Sequence, residues 1–153
     1  MPDHRDRRLD AGLLLLRIGA GGSLFVFFGL QKLGAAQAHL IDQQPWAFIA
    51  FNQKIHFPLP ELTAYVETVN ESVWPLLVLA GLWGRIPAGL LGIAFAVATG
   101  ASVVARESFL TAATYCVVFF SLSLTGSGTF SIDQWFYRRQ VARQPKSAID
   151  HSL

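Results

Sequence analysis

Two long stretches without a charged residue limit what this chain can fold into. The 20 residues between Arg85 and Arg106 carry no formal charge, and neither do the 25 residues between Glu107 and Asp133. An apolar helix of about 20 residues is long enough to cross the roughly 30 Å hydrocarbon layer of a membrane. Charged residues make up only 14% of the 153 residues, whereas a soluble domain carries about 25%. The sequence therefore favours an integral membrane protein.

The apolar runs predict four membrane spans within a single domain covering residues 1–153. The spans cover residues 11–30, 62–83, 86–105 and 109–125. The first contains Arg17, and the second carries Glu67, Asn70 and Glu71 in its first half. We therefore predict an all-α fold, an integral membrane four-helix bundle.

A cleaved signal peptide is the alternative reading of the first span. Ala36, Gln37 and Ala38 have the small-x-small form of a cleavage site, and cleavage there would leave three spans. Signal peptides usually have an apolar region of about 7 to 15 residues. The apolar region here is longer and contains Arg17, which favours the four-span interpretation.

Two further helices are predicted outside the spans. The connection over residues 33–61 mixes aromatic with polar residues, which is typical of an interfacial helix lying on the outer leaflet. Ser131 and Gln134 have capping-box spacing, so a short amphipathic C-terminal helix should begin near Ile132. Residues 138–153 then form a cytoplasmic tail.

The basic residues predict which way the spans point. Cytoplasmic loops of membrane proteins are enriched in lysine and arginine. Three basic residues flank the side that faces outward in this scheme, namely Lys32, Lys54 and Arg106. Eight flank the other side, namely Arg5, Arg7, Arg8, Arg85, Arg138, Arg139, Arg143 and Lys146. Both termini should therefore be cytoplasmic, and the basic residues indicate contact with a lipid bilayer rather than with nucleic acid.

Ionisable groups within or beside the spans are the candidate ligand-binding residues. A charge inside a span costs about 2.5 kcal/mol or more unless it is paired or hydrated. The candidates are Arg17, Lys32, Glu67, Asn70 and Glu71. We expect Arg17 to pair tightly with Glu71, because Arg17 lies deeper and keeps its charge, whereas Lys32 can extend towards the headgroups. Two alternatives stay open: the pair only fixes helix register, or it belongs to a substrate or quinone site.

The sequence offers no ligand set for an intrinsic cofactor. Cys116 is the single cysteine, which excludes an intrachain disulfide and a cysteine-based zinc site. The four histidines, His4, His39, His56 and His151, lie outside the predicted spans, so a haem held between membrane histidines is not expected. No metal site is predicted, and no intrinsic cofactor is expected.

Four motifs in order resemble the DoxX family of small four-helix bacterial membrane proteins. They are LLLRIGAGG with Arg17, FFGLQKLG with Gly29 and Lys32, Glu71 before an apolar run ending in GLWGR with Gly81 and Arg85, and GSGTFSID with Gly126, Gly128, Ser131 and Asp133. The resemblance covers about Leu13 to Trp135. Two departures are Phe28, where family members often have histidine, and Ser72 to Pro75, where they often have a glycine pair.

The resemblance implies a multi-pass protein of the bacterial inner membrane. Family members are associated with a terminal quinol oxidase, with thiosulfate:quinone oxidoreduction, and with membrane complexes that handle oxidative stress. The leading hypothesis is a membrane subunit or anchor of such a complex that interacts with quinone and with a protein partner or a second copy of itself. If an enzymatic role exists, it would be that of an accessory subunit of a quinone-linked oxidoreductase. The alternatives are a small proton-coupled transporter and a non-catalytic assembly factor.

Overall fold

A computed structural model describes residues 4–83, 85–126, 128 and 131–143, and these residues fold into helices without a β-strand. The all-α prediction is therefore confirmed for this part of the chain. The predicted tail is described only as far as Arg143, and its residues 144–153 lie outside the described part. In chain order the elements are α1 (His4–Leu24), a π-helical segment (Phe25–Gly29), α2 (Leu30–Asp42), α3 (Ala47–Lys54), α4 (Pro60–Ala80), α5 (Arg85–Ala105), α6 (Leu110–Thr125) and α7 (Ile132–Arg143).

The first helix is longer than predicted. α1, the π-helical segment and α2 follow one another without a break, so the helix continues to Asp42 instead of ending near residue 30. The sequence after Leu30 is rich in residues that favour helices, and α2 ends only where Gln43 adopts a left-handed backbone conformation. Much of the predicted outer-leaflet segment is thus an extension of the first helix, and only α3 is a separate helix there.

The π-helical segment changes which residues of the first helix face α4. Buried residues recur at Arg17, Gly21 and Leu24, and the next buried position is Gly29, five residues after Leu24. A regular α-helix returns to the same face after three or four residues. The wider turn of the π-helical segment accommodates the extra residue, so that Gly29, and Lys32 one turn later, still face α4.

Close contact between the first helix and α4 depends on glycine. A Cβ atom on Gly29 would lie 2.5 Å from the backbone oxygen of Glu71, and one on Gly21 would lie 3.1 Å from that of Pro75. Proline has no backbone N–H, so Pro75 leaves the Glu71 carbonyl without its usual helical donor. The first helix therefore lies against the backbone of α4 beside this proline, and only a residue without a side chain fits at Gly29.

The four long helices contact one another in a ring. α1 packs on α4, α4 on α5, α5 on α6, and α6 returns to α1. Their shared core is formed by Leu24, Val78, Ala88, Leu91, Phe95, Phe119 and Leu122. A smaller cluster of Ala36, Trp46 and Ala64 fixes α2 and the start of α3 against α4. The α3 helix is therefore held beside the first turns of α4.

The exterior of the described helices is largely apolar. Leu15, Val104 and Leu124 are each at least 70% exposed, as expected for side chains that meet lipid and not for those of a soluble monomer. Exposed hydroxyls on α6 are already bonded within the helix, because Thr114 donates to the Leu110 carbonyl and Ser121 to the Val117 carbonyl. Polar groups satisfied in this way are compatible with a hydrocarbon environment.

Two described helical stretches are long and apolar enough to cross a membrane. They are Arg8–Asp42 and Arg85–Ala105, and Leu110–Thr125 is a shorter apolar helix. Three glutamates, Glu61, Glu67 and Glu71, lower the hydropathy of α4, which explains why α4 does not stand out by composition. Its bounds and those of α5 and α6 still agree with the second, third and fourth predicted spans to within three residues.

Candidate functional site

Lys32 and Glu71 form a close ion pair between α2 and α4. The Lys32 Nζ lies 2.8 Å from Glu71 Oε1, and the two side chains are 18% and 9% exposed. The Lys32 ammonium also lies over the ring of Phe48, 4.1 Å from its centroid. The π-helical segment makes this pair possible, because it turns Lys32 towards α4 while Gly29 lets the two backbones approach.

The predicted pairing of Arg17 with Glu71 is wrong. The Arg17 Nε donates to the Val78 carbonyl at 3.0 Å, and its Nη2 donates to the Leu79 carbonyl at 2.9 Å. These carbonyls belong to the last turn of α4, where the regular donors four residues further along the helix run out and the helix dipole is negative. Arg17 is therefore a side-chain cap for the C-terminus of α4, about 22 Å along the first helix from Lys32.

A cavity of about 310 Å³ lies next to the Lys32–Glu71 pair. Its polar lining comes from Lys32, Glu67, Glu71, Asn52, Thr63 and Glu107, together with Ser102, Ser108 and Thr111. Aromatic rings of Phe28, Phe48, Phe51, Phe57 and Phe95 form much of the remaining wall. This volume lies at the lower end of the range of about 300 to 1,000 Å³ that is usual for small-molecule sites.

The structure places the predicted site residues in different surroundings. Lys32, Glu67 and Glu71 line the cavity together. Asn70 accepts a hydrogen bond from the Trp74 indole N–H at 2.8 Å. Asn70 is therefore bonded within α4 and is not among the cavity residues, whereas Arg17 belongs to a separate cluster.

Several cavity residues were not predicted from the sequence. Asn52 is 2% exposed and donates to the Pro60 carbonyl, so it joins α3 to the start of α4 while lining the cavity. Phe48 and Phe51 lie on the same short helix and stack on each other. The aromatic residues of this segment are the available signal, but in a polar segment beside a membrane span the same pattern predicts headgroup contact.

An ion pair at the mouth of the cavity joins the end of α3 to the connection after α5. Lys54, the last residue of α3, lies 3.7 Å from Glu107, which follows α5 and lines the cavity. Both side chains are more than half exposed. The contact places the end of α3 and the connection between α5 and α6 at the same end of the molecule.

The Arg17 cluster lies at the opposite end. A Cβ atom on Gly81 would come within 2.7 Å of both Arg17 Nη2 and Ser131 Cβ, and Gly81 has a φ of +64°. Asp133 interacts electrostatically with Arg17, and its Oδ1 accepts the Trp83 backbone N–H at 3.2 Å. The cluster therefore ties the end of α4 to α1 and to the start of α7, which is a structural role.

Together these features define an all-α protein with an apolar exterior and a small cavity that contains buried charges. The family model for DoxX matches residues 12–106, which is more than half of the chain. The chain belongs to the DoxX family, as the sequence motifs indicated. The matched region includes every predicted site residue, whereas the GSGTFSID motif lies beyond it. Comparisons with curated proteins and with solved structures found no match.

Proposed function

We propose that this protein is a four-span protein of the bacterial inner membrane that binds a quinone in the cavity beside Lys32 and Glu71. It would serve as a membrane subunit or anchor of a redox or oxidative-stress complex. One observation carries the proposal: a buried ion pair and a second carboxylate line a cavity with aromatic walls. Such a cavity offers flat apolar contact for a ring and polar groups for its oxygens.

The chemistry of the lining suits a quinone head group. The Lys32 ammonium has three donors, and only one is needed for Glu71, so another can bond a ring oxygen. The rings of Phe28, Phe48 and Phe95 supply the apolar surface on which a quinone ring packs. A bound quinone supplies the redox chemistry, and the protein's contribution is to bind it, orient it and exclude water. Electrons would come from a protein partner.

The proposal is tested by measuring quinone in the purified protein. Protein purified from native membranes should yield quinone on solvent extraction and should bind an added short-chain quinone saturably. Ala101→Phe, which fills the cavity without removing a charge, should lower bound quinone at least about tenfold, since it displaces the ring. Ala96→Phe is the matched control, because Ala96 is exposed on the same helix outside the cavity lining.

The outcome that contradicts the proposal is equally specific. If the extract contains no quinone and the titration is not saturable above that of empty micelles, the quinone proposal fails. Equal binding by the Ala101→Phe and Ala96→Phe variants would place any bound quinone elsewhere on the protein. Proteins that copurify with the wild type, identified by mass spectrometry, would name the partner that the anchor role requires.

Proton-coupled transport is a second candidate, favoured by one observation. Glu67 and Glu71 line the same cavity one helical turn apart, and paired carboxylates in a membrane protein are typical of proton relays. In that case Glu71→Gln should abolish uptake of a substrate into proteoliposomes while the protein still folds. An assembly role would instead leave all transport unchanged and lower the abundance of a partner.

A further inference from the structure

One oxygen atom of Glu71, a residue that lines the cavity, indicates which chemical form of the ligand fits. Glu71 is 7% exposed, and its Oε1 accepts from Lys32. Its Oε2 is buried and has no hydrogen-bond partner among the residues that the structure describes. A buried carboxylate oxygen without a donor is costly, and a bound ligand that donates a hydrogen bond would remove that cost.

The part of the lining that the structure describes contains three carboxylates and a single ammonium group. Glu67 adds a second carboxylate beside Glu71, and Glu107 adds a third at the mouth, where Lys54 is its partner. Among the described residues of the lining, Lys32 is the one cationic side chain, and it already contacts both Glu71 and the ring of Phe48. A ligand with hydroxyl groups matches this arrangement better than one that carries only carbonyl oxygens.

We infer that the cavity selects the reduced, hydroxyl-bearing form of its ring ligand, a hydroquinone, with one ring hydroxyl donating to Glu71 Oε2. The inference rests on the proposed function, because it specifies the redox form of the quinone assigned to the same cavity. An oxidised quinone has no O–H to donate, so it would leave this oxygen unpaired. The other ring oxygen is then available to accept from Lys32.

Redox selectivity follows directly from this geometry. A hydrogen bond to a charged acceptor changes affinity by about tenfold or more, so the hydroquinone should bind at least about tenfold more tightly than the matched quinone. Tighter binding of the reduced form makes the bound ligand easier to reduce. Its midpoint potential should therefore rise by about 30 mV for each tenfold preference in this two-electron couple.

Three matched probes test the inference on the full-length protein in nanodiscs. The probes are a benzoquinone with a short alkyl tail, its hydroquinone kept reduced under anaerobic conditions, and the dimethyl ether of that hydroquinone. Calorimetric titration against empty nanodiscs corrects for partition into lipid. We expect the hydroquinone to bind at least tenfold more tightly than either of the others, because the ether keeps the ring and its oxygens but has no donor.

Glu71→Gln tests the assigned oxygen. The variant should reduce the preference for hydroquinone over quinone to less than about threefold, since a neutral amide is a weaker acceptor than a carboxylate. Glu61→Gln is the control and should keep the wild-type preference, because Glu61 is an exposed glutamate of α4 outside this cavity. The wild-type comparison of the three probes decides the question even if Glu71→Gln does not fold.

The possible results separate the inference from the proposed function. Equal affinity for the three probes would overturn the selectivity while quinone binding stands. Preference for the quinone would overturn it too, and would assign the dominant contact to Lys32 as a donor. Absence of saturable binding by any probe would overturn the proposed function and the inference together.

Discussion

At the scale of single residues, the Lys32–Glu71 pair determines what it costs to change either partner. We expect Lys32→Met to lower the free energy of unfolding by about 3 kcal/mol, because it leaves the Glu71 carboxylate buried without its cation. Replacing both residues together, as Lys32→Met with Glu71→Met, should restore much of that loss, since no buried charge then remains. Denaturant unfolding of the detergent-solubilised protein, followed by circular dichroism, measures both.

Lys54→Met provides the matched control for this change. Its pair with Glu107 is 3.7 Å long and both side chains are largely exposed. An exposed pair contributes less than about 1 kcal/mol, so this variant should remain close to wild type. Equal losses in Lys32→Met and Lys54→Met would show that burial does not distinguish the two pairs.

A second change at this scale concerns the close approach of α4 to the first helix. Gly29→Ala would place a methyl group 2.5 Å from the Glu71 backbone oxygen, so the helices must separate. We expect a loss of about 1 to 3 kcal/mol, as for other overpacked sites, together with weaker ligand binding because the pair above it shifts. Thermal unfolding and the quinone titration measure the two effects.

Gly34→Ala is the opposite case on the same helix. No atom lies within 4 Å of the position that its Cβ would occupy. Replacing an exposed helical glycine with alanine gains up to about 1 kcal/mol, so this variant should be more stable than wild type. A loss of stability similar to that of Gly29→Ala would contradict the assignment of a specific contact at Gly29.

Which ionisable residues lie inside the helical bundle was more predictable from the sequence than what each of them contacts. Lys32, Glu67 and Glu71 could be identified because ionisable groups are rare in apolar runs. Arg17 was assigned the wrong partner because its acceptors, the Val78 and Leu79 carbonyls, are backbone atoms that every residue has. A sequence shows which side chains carry charge, but it does not show where a helix ends in space.

At the scale of elements, the π-helical segment is the feature on which the position of Lys32 depends. It accommodates one residue more than a regular turn. Deleting Val26, which is 51% exposed within the segment, should convert it to α-helix and leave Gly29 and Lys32 on the face towards α4. We therefore expect quinone affinity to stay within about threefold of wild type, a difference of less than about 0.7 kcal/mol.

A deletion in the regular part of the same helix should behave differently. Ile18 is 53% exposed, so its deletion removes a side chain of similar exposure. There the helix has no extra residue to lose, and the deletion rotates the preceding residues by about 100° relative to Gly21 and Leu24. Arg17 would then leave the end of α4, and the protein should lose most of its stability. Comparable behaviour of the two deletions would contradict the role given to the π-helical segment.

Other elements could be predicted because local signals define them. The start of α7 followed from the capping-box spacing, and the Gln134 backbone N–H donates to the Ser131 hydroxyl at 3.2 Å. The continuation of the first helix to Asp42 was not predicted, because the polar residues after Leu30 suggested a surface segment. The π-helical segment has no distinguishing sequence signal, since FVFFG is equally compatible with an α-helix.

At the scale of the whole molecule, the two side-chain clusters mark opposite ends of the helix ring. The Arg17 cluster joins α1, the end of α4 and the start of α7, whereas Lys54 and Glu107 join α3 to the connection after α5. Consecutive long helices therefore run in alternate directions. Combined with the distribution of basic residues, this arrangement predicts that the Arg17 cluster lies near the cytoplasmic surface and the cavity nearer the outer surface.

Two exposed glutamines, one towards each end, allow this orientation to be measured. Both variants are made in a Cys116→Ser background, which removes the single native cysteine. Gln43→Cys replaces the residue that follows α2, and Gln140→Cys replaces a residue within α7. A membrane-impermeant maleimide added to intact spheroplasts should label Gln43→Cys at once and Gln140→Cys only after lysis. The reverse order would show that the protein has the opposite orientation, with the cavity near the cytoplasm. Labelling of both variants before lysis would show that no membrane separates the two ends. That result would contradict the four-span arrangement on which the quinone site depends.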